Sequence, residues 1–269
     1  MYNDFLWELL AQDVGYGDIT TSLLPEREVK ARIVAKEDLI LAGAEAISEI
    51  ILEHGIVIYE VRKDGDAIQK GEVIMALTGN VRTILTLERT ILNILQRMSG
   101  IATITRRCKD IAGPDVRVAA TRKTILPYLD KLAVMAGGGD PHRWRLDDMF
   151  LIKDNHIKVL GITAAVKKAK DTLFSKKIEV EVETLEQAIE AAEANADIIM
   201  LDNMPPDEIK NVIGILKDRG LEGAMFEASG NITPENLRDY AESGVDIISM
   251  GWLTHSVMAS DISLDIDGD

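Results

Sequence analysis

Cysteine is nearly absent: Cys108 is the only one in 269 residues. A single thiol excludes an intramolecular disulfide and any zinc cluster built on cysteines, and it suits a reducing compartment, so a cytoplasmic location is expected. Histidine is scarce as well, with four in the chain. Neither an HExxH spacing nor a Ser/His/Asp arrangement occurs to support a hydrolase. No stretch approaches the ~20 uncharged apolar residues of a membrane span. The opening residues Met1, Tyr2, Asn3 and Asp4 lack a basic segment followed by an apolar one, so neither export nor membrane insertion is expected. Positive charge is in deficit, with 30 Lys and Arg against 45 Asp and Glu and a net charge of −15. That field repels a nucleic-acid backbone unless a local basic patch overrides it, and nucleic acid is not an expected partner.

A hydrophobic content of 46% supports a sizeable core, and the length allows one large domain with a smaller companion. Residues 4–12 read as a short amphipathic helix, followed by a turn around Gly15 and Gly17. Between 29 and 79, alternating segments at 31–35 and 71–76 read as strands and 44–54 as a helix, giving a small α+β unit. A long helix is predicted over 86–111, with Leu87, Ile91, Ile94, Leu95 and Met98 at helical spacing and an interruption at Ser99 and Gly100. Apolar runs at 116–120, 149–152, 178–182, 197–201, 224–226 and 245–250 then alternate with amphipathic helices at 162–172, 185–194, 206–219 and 234–242. Repeated β/α units need parallel strands covered by helices.

Polar residues follow one strand after another: Thr121, Arg122 and Lys123; Lys153 to His156; Asp202 and Asn203; Ser229 and Gly230; Gly251. This placement favours a barrel over a doubly wound sheet, because barrel strands gather their reactive groups at one C-terminal mouth.

The segment 121–156 concentrates cations within an acidic chain: Arg122, Lys123, Lys131, Arg143, Arg145 and Lys153. A small, strongly anionic ligand requires such a local excess. The run Gly137, Gly138, Gly139 lacks the Gly-Lys-Ser/Thr of a nucleotide-binding loop and is expected to allow tight backbone passage ahead of His142 and Arg143, two donors suited to a carboxylate. Glu179 and Glu181 alternate with Val180 and Val182, so both acids share a strand face. An inward carboxylate is costly unless it meets a cation. With Asp202 at the end of the next strand, Glu181 forms a hard-oxygen pair suited to Mg²⁺. Ser229, Gly230 and Gly251 are candidates for a phosphate cradle.

The order and spacing of these motifs resemble the quinolinate phosphoribosyltransferase family over nearly the whole chain. The resemblance is carried by Asp13 to Thr21, Glu88 to Asn93, Leu95 to Thr103, Thr121-Arg122-Lys123-Thr124, the triple glycine with His142 and Arg143, Ile152 to His156, Glu179 to Val182, Leu201-Asp202-Asn203, and Gly251 to Ser256. It implies an N-terminal α/β sandwich domain over 1–100, an open seven-stranded α/β barrel of the type II phosphoribosyltransferase kind over 101–256, and a tail at 257–269 that packs back on the first domain. It further implies a homodimer, open to higher association, whose active site is completed by Arg89 of the neighbouring chain. Arg122, His142, Arg143 and Lys153 are implied to grip quinolinate, and Lys123 to reach both substrates. Glu181 and Asp202 are implied to stand near Mg²⁺ and the ribose of phosphoribosyl pyrophosphate, with Ser229, Gly230 and Gly251 at the 5′-phosphate.

Two departures from the family pattern stand out. The segment after Thr124 reads Ile125-Leu126-Pro127-Tyr128-Leu129-Asp130 in place of Pro-Gly-Leu-Arg, so the approach to Lys131 is shorter and lacks an arginine. Asn231 replaces the second glycine of Ser-Gly-Gly. The alternatives are a phosphoribosyltransferase for nicotinate or another aromatic acid, and a non-catalytic metabolite-binding relative.

Overall fold

The computed structural model describes residues 2–267, with residues 2–4 given by their backbone path alone. Met1, Gly268 and Asp269, which fall within the expected domain limits, lie outside the described residues. The chain begins with helix α1 (Tyr2–Val14), strands β1 (Glu28–Ala35) and β2 (Leu39–Ile40), helix α2 (Ala44–Glu53), strands β3 (Val57–Val61), β4 (Ala67–Ile68) and β5 (Val73–Asn80), and the long helix α3 (Val81–Ala112). Next come β6 (Arg117–Ala119), α4 (Pro127–Ala136), β7 (Phe150–Ile152), α5 (Asp154–Leu160), α6 (Ile162–Thr172), β8 (Ile178–Val182), α7 (Leu185–Glu193) and β9 (Ile198–Asp202). The last elements are α8 (Pro206–Asp218), β10 (Met225–Ser229), α9 (Leu237–Ala241), β11 (Ile247–Ser249), α10 (Trp252–His255) and β12 (Ile262–Ile266).

Two compact units emerge, one of Met1–Arg106, Tyr128–Gly138 and Val257–Asp269, the other of Arg107–Pro127 and Gly139–Ser256. The first unit is built on an antiparallel sheet in the order β12-β1-β5-β3, with a small β2-β4 pair. Strand alternation explains its one-sided core: Ala31, Ile33 and Ala35 of β1 are buried while the alternating Lys30 and Arg32 are exposed. Gly43 has no side chain with which to cap α2, and Asp64 does so from a distant turn, accepting from Gly43 N at 3.0 Å and Ala44 N at 2.9 Å.

The interruption expected at Ser99 and Gly100 does not occur, and α3 runs through both. Their small size serves packing. Ser99 Oγ accepts from Ala42 N at 3.1 Å and donates to Ala42 O at 3.2 Å. At Gly100 an added Cβ would lie 2.0 Å from Met258 O, so the C-terminal segment crosses the helix at a distance only glycine permits. Gln96 fastens the same segment, accepting from Ser260 N at 2.9 Å and donating to Ile262 O at 2.8 Å. Gly137 behaves similarly within this unit, with Ala102 O 2.5 Å from where its Cβ would stand.

The second unit is a parallel six-stranded sheet in the order β6-β11-β10-β9-β8-β7, flanked by helices. The expected seventh strand is reduced to one parallel bridge, Ala119 to Asp140, at the free edge of β6. Asp140 N donates to Val118 O and its carbonyl accepts from Ala120 N, and Pro141 follows directly. The sheet therefore stays open, and residues 141–149 run between its two edges. Among the described residues no helix is long and apolar enough to cross a membrane.

Gly100→Ala should lower stability by about 2 kcal/mol through overpacking, whereas Gly214→Ala, inside α8 with open space around it, should raise it by about 0.5–1 kcal/mol. Thermal unfolding of the two variants beside the parent checks the pair; equal shifts would contradict the close approach at Met258.

Candidate active site

Strand register places the candidate residues at one end of the second unit. Asp202 at the end of β9 lies beside Ser229 at the end of β10, and Val182 of β8 is paired with Leu201. The inward residues grade from apolar to polar along each strand: Ile198, Met200, Asp202 on β9; Met225, Glu227, Ser229 on β10; Ile247, Ser249 on β11. Ala119, Ile198 and Ile247 form the apolar floor, packed by Met149 and Met225. A cavity of about 250 Å³ opens at the C-terminal strand ends and is lined by Arg122, Lys123, His142, Arg143, Lys153, Glu181, Asp202 and Ser229, together with Glu227 and Ser249. Residues from both edge strands share it, so the sheet curls into an open barrel. A larger recess of about 600 Å³ lies at the N-terminal strand ends. The smaller cavity holds the reactive groups and sits at the end where barrel chemistry belongs.

Of the eleven residues singled out in the sequence, eight line this cavity. Gly251 is next to it, since an added Cβ would lie 3.0 Å from Lys123 Cδ, and Gly230 follows Ser229 in a left-handed conformation with φ +97. Arg89 is exposed on α3 in the first unit. Two cations counted toward the ligand do not line the cavity: Arg145 pairs with Asp147 at 3.1 Å, and Lys131 is fully buried in the first unit. Beside Lys131, Asp130 receives both arms of Arg97 at 2.8 and 2.7 Å.

Local structure aims each side chain. Lys153 precedes α5, its backbone N–H donating to His156 Nδ1 at 2.9 Å, and its ammonium contacts Glu181 Oε2 closely. Lys123 is held by Thr254, whose hydroxyl donates to its carbonyl at 2.9 Å. His142 adopts φ +52, and Asp140 Oδ1 fixes its backbone N–H at 2.7 Å. Burial and the neighbouring Arg122 guanidinium lower the Arg143 pKa, only partly offset by Glu179, Asp148 and Glu181. Two guanidiniums crowded into one partly buried cavity are relieved by an anion.

Below the mouth lies a cluster the sequence did not reveal. His142 Nε2 is 3.1 Å from Glu227 Oε2 and 3.4 Å from Glu179 Oε2, and both glutamates are fully buried. Neither oxygen of Glu179 has a hydrogen-bond partner, nor does Glu227 Oε1. Burial and the adjacent Glu227 push the Glu179 carboxyl up to about 8, against the pull of His142, Arg143 and Lys153. The apolar run at 224–226 stops three residues before the strand does and leaves Glu227 out; extending the alternation to Ser229 puts Met225, Glu227 and Ser229 on one face.

Residues 18–99 match the quinolinate phosphoribosyl transferase N-terminal domain, and residues 101–265 match the corresponding C-terminal domain. The chain belongs to the quinolinate phosphoribosyltransferase family. A relative from Methanothermobacter thermautotrophicus, described as a probable nicotinate-nucleotide pyrophosphorylase (carboxylating), is 46% identical over 98% of this chain and 99% of its own. One of the same description from Bacillus subtilis is 44% identical over 95% of this chain and 90% of its own. The solved nicotinate-nucleotide pyrophosphorylase of Francisella tularensis superposes with a TM-score of 0.93 at 38% identity, covering 98% of this chain and 95% of that one. This quinolinate phosphoribosyltransferase family member thus has the family's mixed α/β fold, a small N-terminal part and a parallel sheet, and it is an enzyme of the pentosyltransferase class.

A carboxyl with a raised pKa keeps its proton in the folded chain after the unfolded chain has lost it near 4.5. Stability from Glu179 is therefore greatest below that value and falls as pH rises toward 8. Glu179→Gln, which copies the protonated acid, should flatten this decline: its thermal midpoint relative to the parent should climb from pH 5 to pH 9. Parallel pH profiles would refute the shift.

Proposed function

We propose that the enzyme transfers the phosphoribosyl group of phosphoribosyl pyrophosphate to the ring nitrogen of quinolinate, with loss of the 2-carboxylate as CO₂, releasing pyrophosphate and giving nicotinate mononucleotide. One observation carries this reading: Arg122, Lys123, Arg143 and Lys153, drawn from three separate stretches of an anionic chain, line one cavity with Glu181 and Asp202. The names of the relatives support the same reaction.

Arg122, Arg143 and His142 suit the two carboxylates of the acceptor, and a ligand with a single carboxylate would leave cations facing one another. Lys123, four residues beyond β6 and against Gly251, suits a role that reaches both the acceptor and the phosphate side. Lys153 is oriented by Glu181 toward the acceptor. Ser229, Gly230 and Gly251 suit the 5′-phosphate. The ribose C1–pyrophosphate bond breaks with oxocarbenium character as the pyridine nitrogen bonds to C1, so the chain's task is to hold nitrogen near carbon, exclude water and shield charge. No strong general base is needed. When the C2–carboxylate bond then breaks, its electron pair stays at C2 beside the positive ring nitrogen, and a solvent proton replaces the carboxylate.

Magnesium fits the donor set. Glu181 and Asp202 supply only two hard carboxylates, which suits an ion that keeps water and substrate oxygens in its remaining positions. When bound with phosphoribosyl pyrophosphate, Mg²⁺ would neutralise the departing pyrophosphate. We also propose a homodimer in which Arg89 of one chain completes the site of the other, consistent with the exposure of Arg89 on α3. The buried Cys108, whose thiol is pushed up to about 11 by burial, suits work in the cytoplasm.

Purified protein with quinolinate, phosphoribosyl pyrophosphate and Mg²⁺ should yield nicotinate mononucleotide, pyrophosphate and CO₂, and Arg122→Ala should raise the quinolinate KM by roughly 10- to 100-fold. Turnover of nicotinate without quinolinate would reassign the acceptor and implicate the altered segment after Thr124. Mixing Arg89→Ala chains with Lys153→Ala chains should restore part of the activity, because a mixed dimer rebuilds one intact site; no recovery despite demonstrated subunit exchange would remove Arg89 from the site.

A further inference from the structure

Three asparagines beside the cavity form a relay of hydrogen bonds. Asn203 follows Asp202 at the end of β9 and adopts a left-handed backbone with φ +56. Its backbone N–H donates to Ser229 O at 2.9 Å, and its side-chain Nδ2 donates to Asp202 Oδ2 at 2.6 Å. Its Oδ1 accepts from Asn231 Nδ2 at 3.1 Å. Asn231, also left-handed at φ +51, accepts at its carbonyl from Asn236 Nδ2 at 3.2 Å, and Asn236 Oδ1 caps Thr233 N at 2.8 Å. The orientation of the Asn203 amide follows from chemistry, because an ionised carboxylate only accepts: Nδ2 must face Asp202, and Oδ1 is left for Asn231.

Gly230 shows how closely the loop is drawn in. A Cβ there would lie 2.3 Å from Asn203 Oδ1 and 2.8 Å from Asn203 N, so the loop closes directly onto the Asn203 side chain. A left-handed non-glycine residue costs little when it is asparagine, and Asn195 also adopts it at the end of α7. Asn203 differs in spending both ends of its amide on two different parts of the cavity wall.

We propose that Asn203 is a positioning residue that ties the Asp202 carboxylate to the loop 229–231, so that the metal-and-ribose side of the site and the phosphate side hold one geometry. The proposal rests on the phosphoribosyl-transfer reading of this cavity. Without the tie, one Asp202 oxygen loses its fixed donor and the loop loses its anchor, while Arg122, His142, Arg143 and Lys153 on the acceptor side keep theirs. The effect therefore falls on one substrate only.

Asn203→Gly is the informative variant, since it keeps the left-handed backbone and removes only the amide. Kinetics for each substrate, titration calorimetry of phosphoribosyl pyrophosphate with Mg²⁺ in the absence of acceptor, and a thermal midpoint would be measured. Loss of about one charge-assisted hydrogen bond should weaken phosphoribosyl pyrophosphate roughly 10-fold, in both KM and calorimetric affinity. The half-saturating Mg²⁺ concentration should rise in step, with the quinolinate KM within about 2-fold of the parent. Asn231→Gly should give the same selective pattern at about 3-fold, and it decides the matter should Asn203→Gly fold poorly. Unchanged phosphoribosyl pyrophosphate binding, equal weakening of both substrates, or a fall in kcat alone would overturn the tie. A parent protein that neither binds nor turns over phosphoribosyl pyrophosphate would sink the site reading and the tie together; a competent parent with indifferent variants sinks the tie alone.

Discussion

Two carboxylates buried side by side, Glu179 and Glu227, govern the charge balance of the cavity. Both are out of solvent, and the His142 imidazole lies within ion-pair distance of each. In a low-dielectric interior such a pair cannot both ionise cheaply, so positive charge above them is favoured. Arg143 feels Glu179 and Glu181 as attraction and Arg122 as repulsion. Because burial holds the proton on Glu179, the acids offset the crowded cations only in part, and an incoming anion removes the remaining repulsion. Binding and fold are tuned by the same buried charges.

The graded strands make this arrangement attainable. Toward the N-terminal end the bore is lined by the apolar cluster of Ala119, Ile198 and Ile247 with two methionines, which helps hold the strands together. Polar residues enter only toward the C-terminal ends, where neighbouring strand ends sit in register, as Asp202 and Ser229 do. Because the seventh strand shrinks to the Asp140 bridge, residues 141–149 belong to no strand and deliver His142 and Arg143 into the bore. A fully paired strand there would alternate its side chains between bore and helix layer and could not present two neighbours together.

Much of this was legible in the residue order. The β/α alternation, the inward pair Glu179 and Glu181, and the polar residues closing successive strands follow from periodicity, and eight of the eleven named site residues line one cavity. The misreadings have physical causes. Ser99 and Gly100 look like a helix break, yet their small size lets Ala42 and Met258 approach α3. Lys131 looks like a ligand cation but is buried in the first unit, a placement set by long-range contacts. Glu227 stands between Phe226 and Ala228 as any strand acid might, and only the depth of the bore shows it to be unsolvated. The role of Asn231 was likewise hidden, because its partner Asn203 is 28 residues away.

The path of the chain between its two units has a consequence for synthesis on the ribosome. Strand β12 pairs along β1, yet the whole second unit is translated between them. Until the final residues emerge, β1 is an unpaired border of its sheet and α3 lacks the strap that crosses it at Gly100. Nascent chains therefore carry an adhesive strand edge for most of their translation, and a ribosome that stalls just after α10 leaves a product whose second unit is complete while its first unit is still open to strangers.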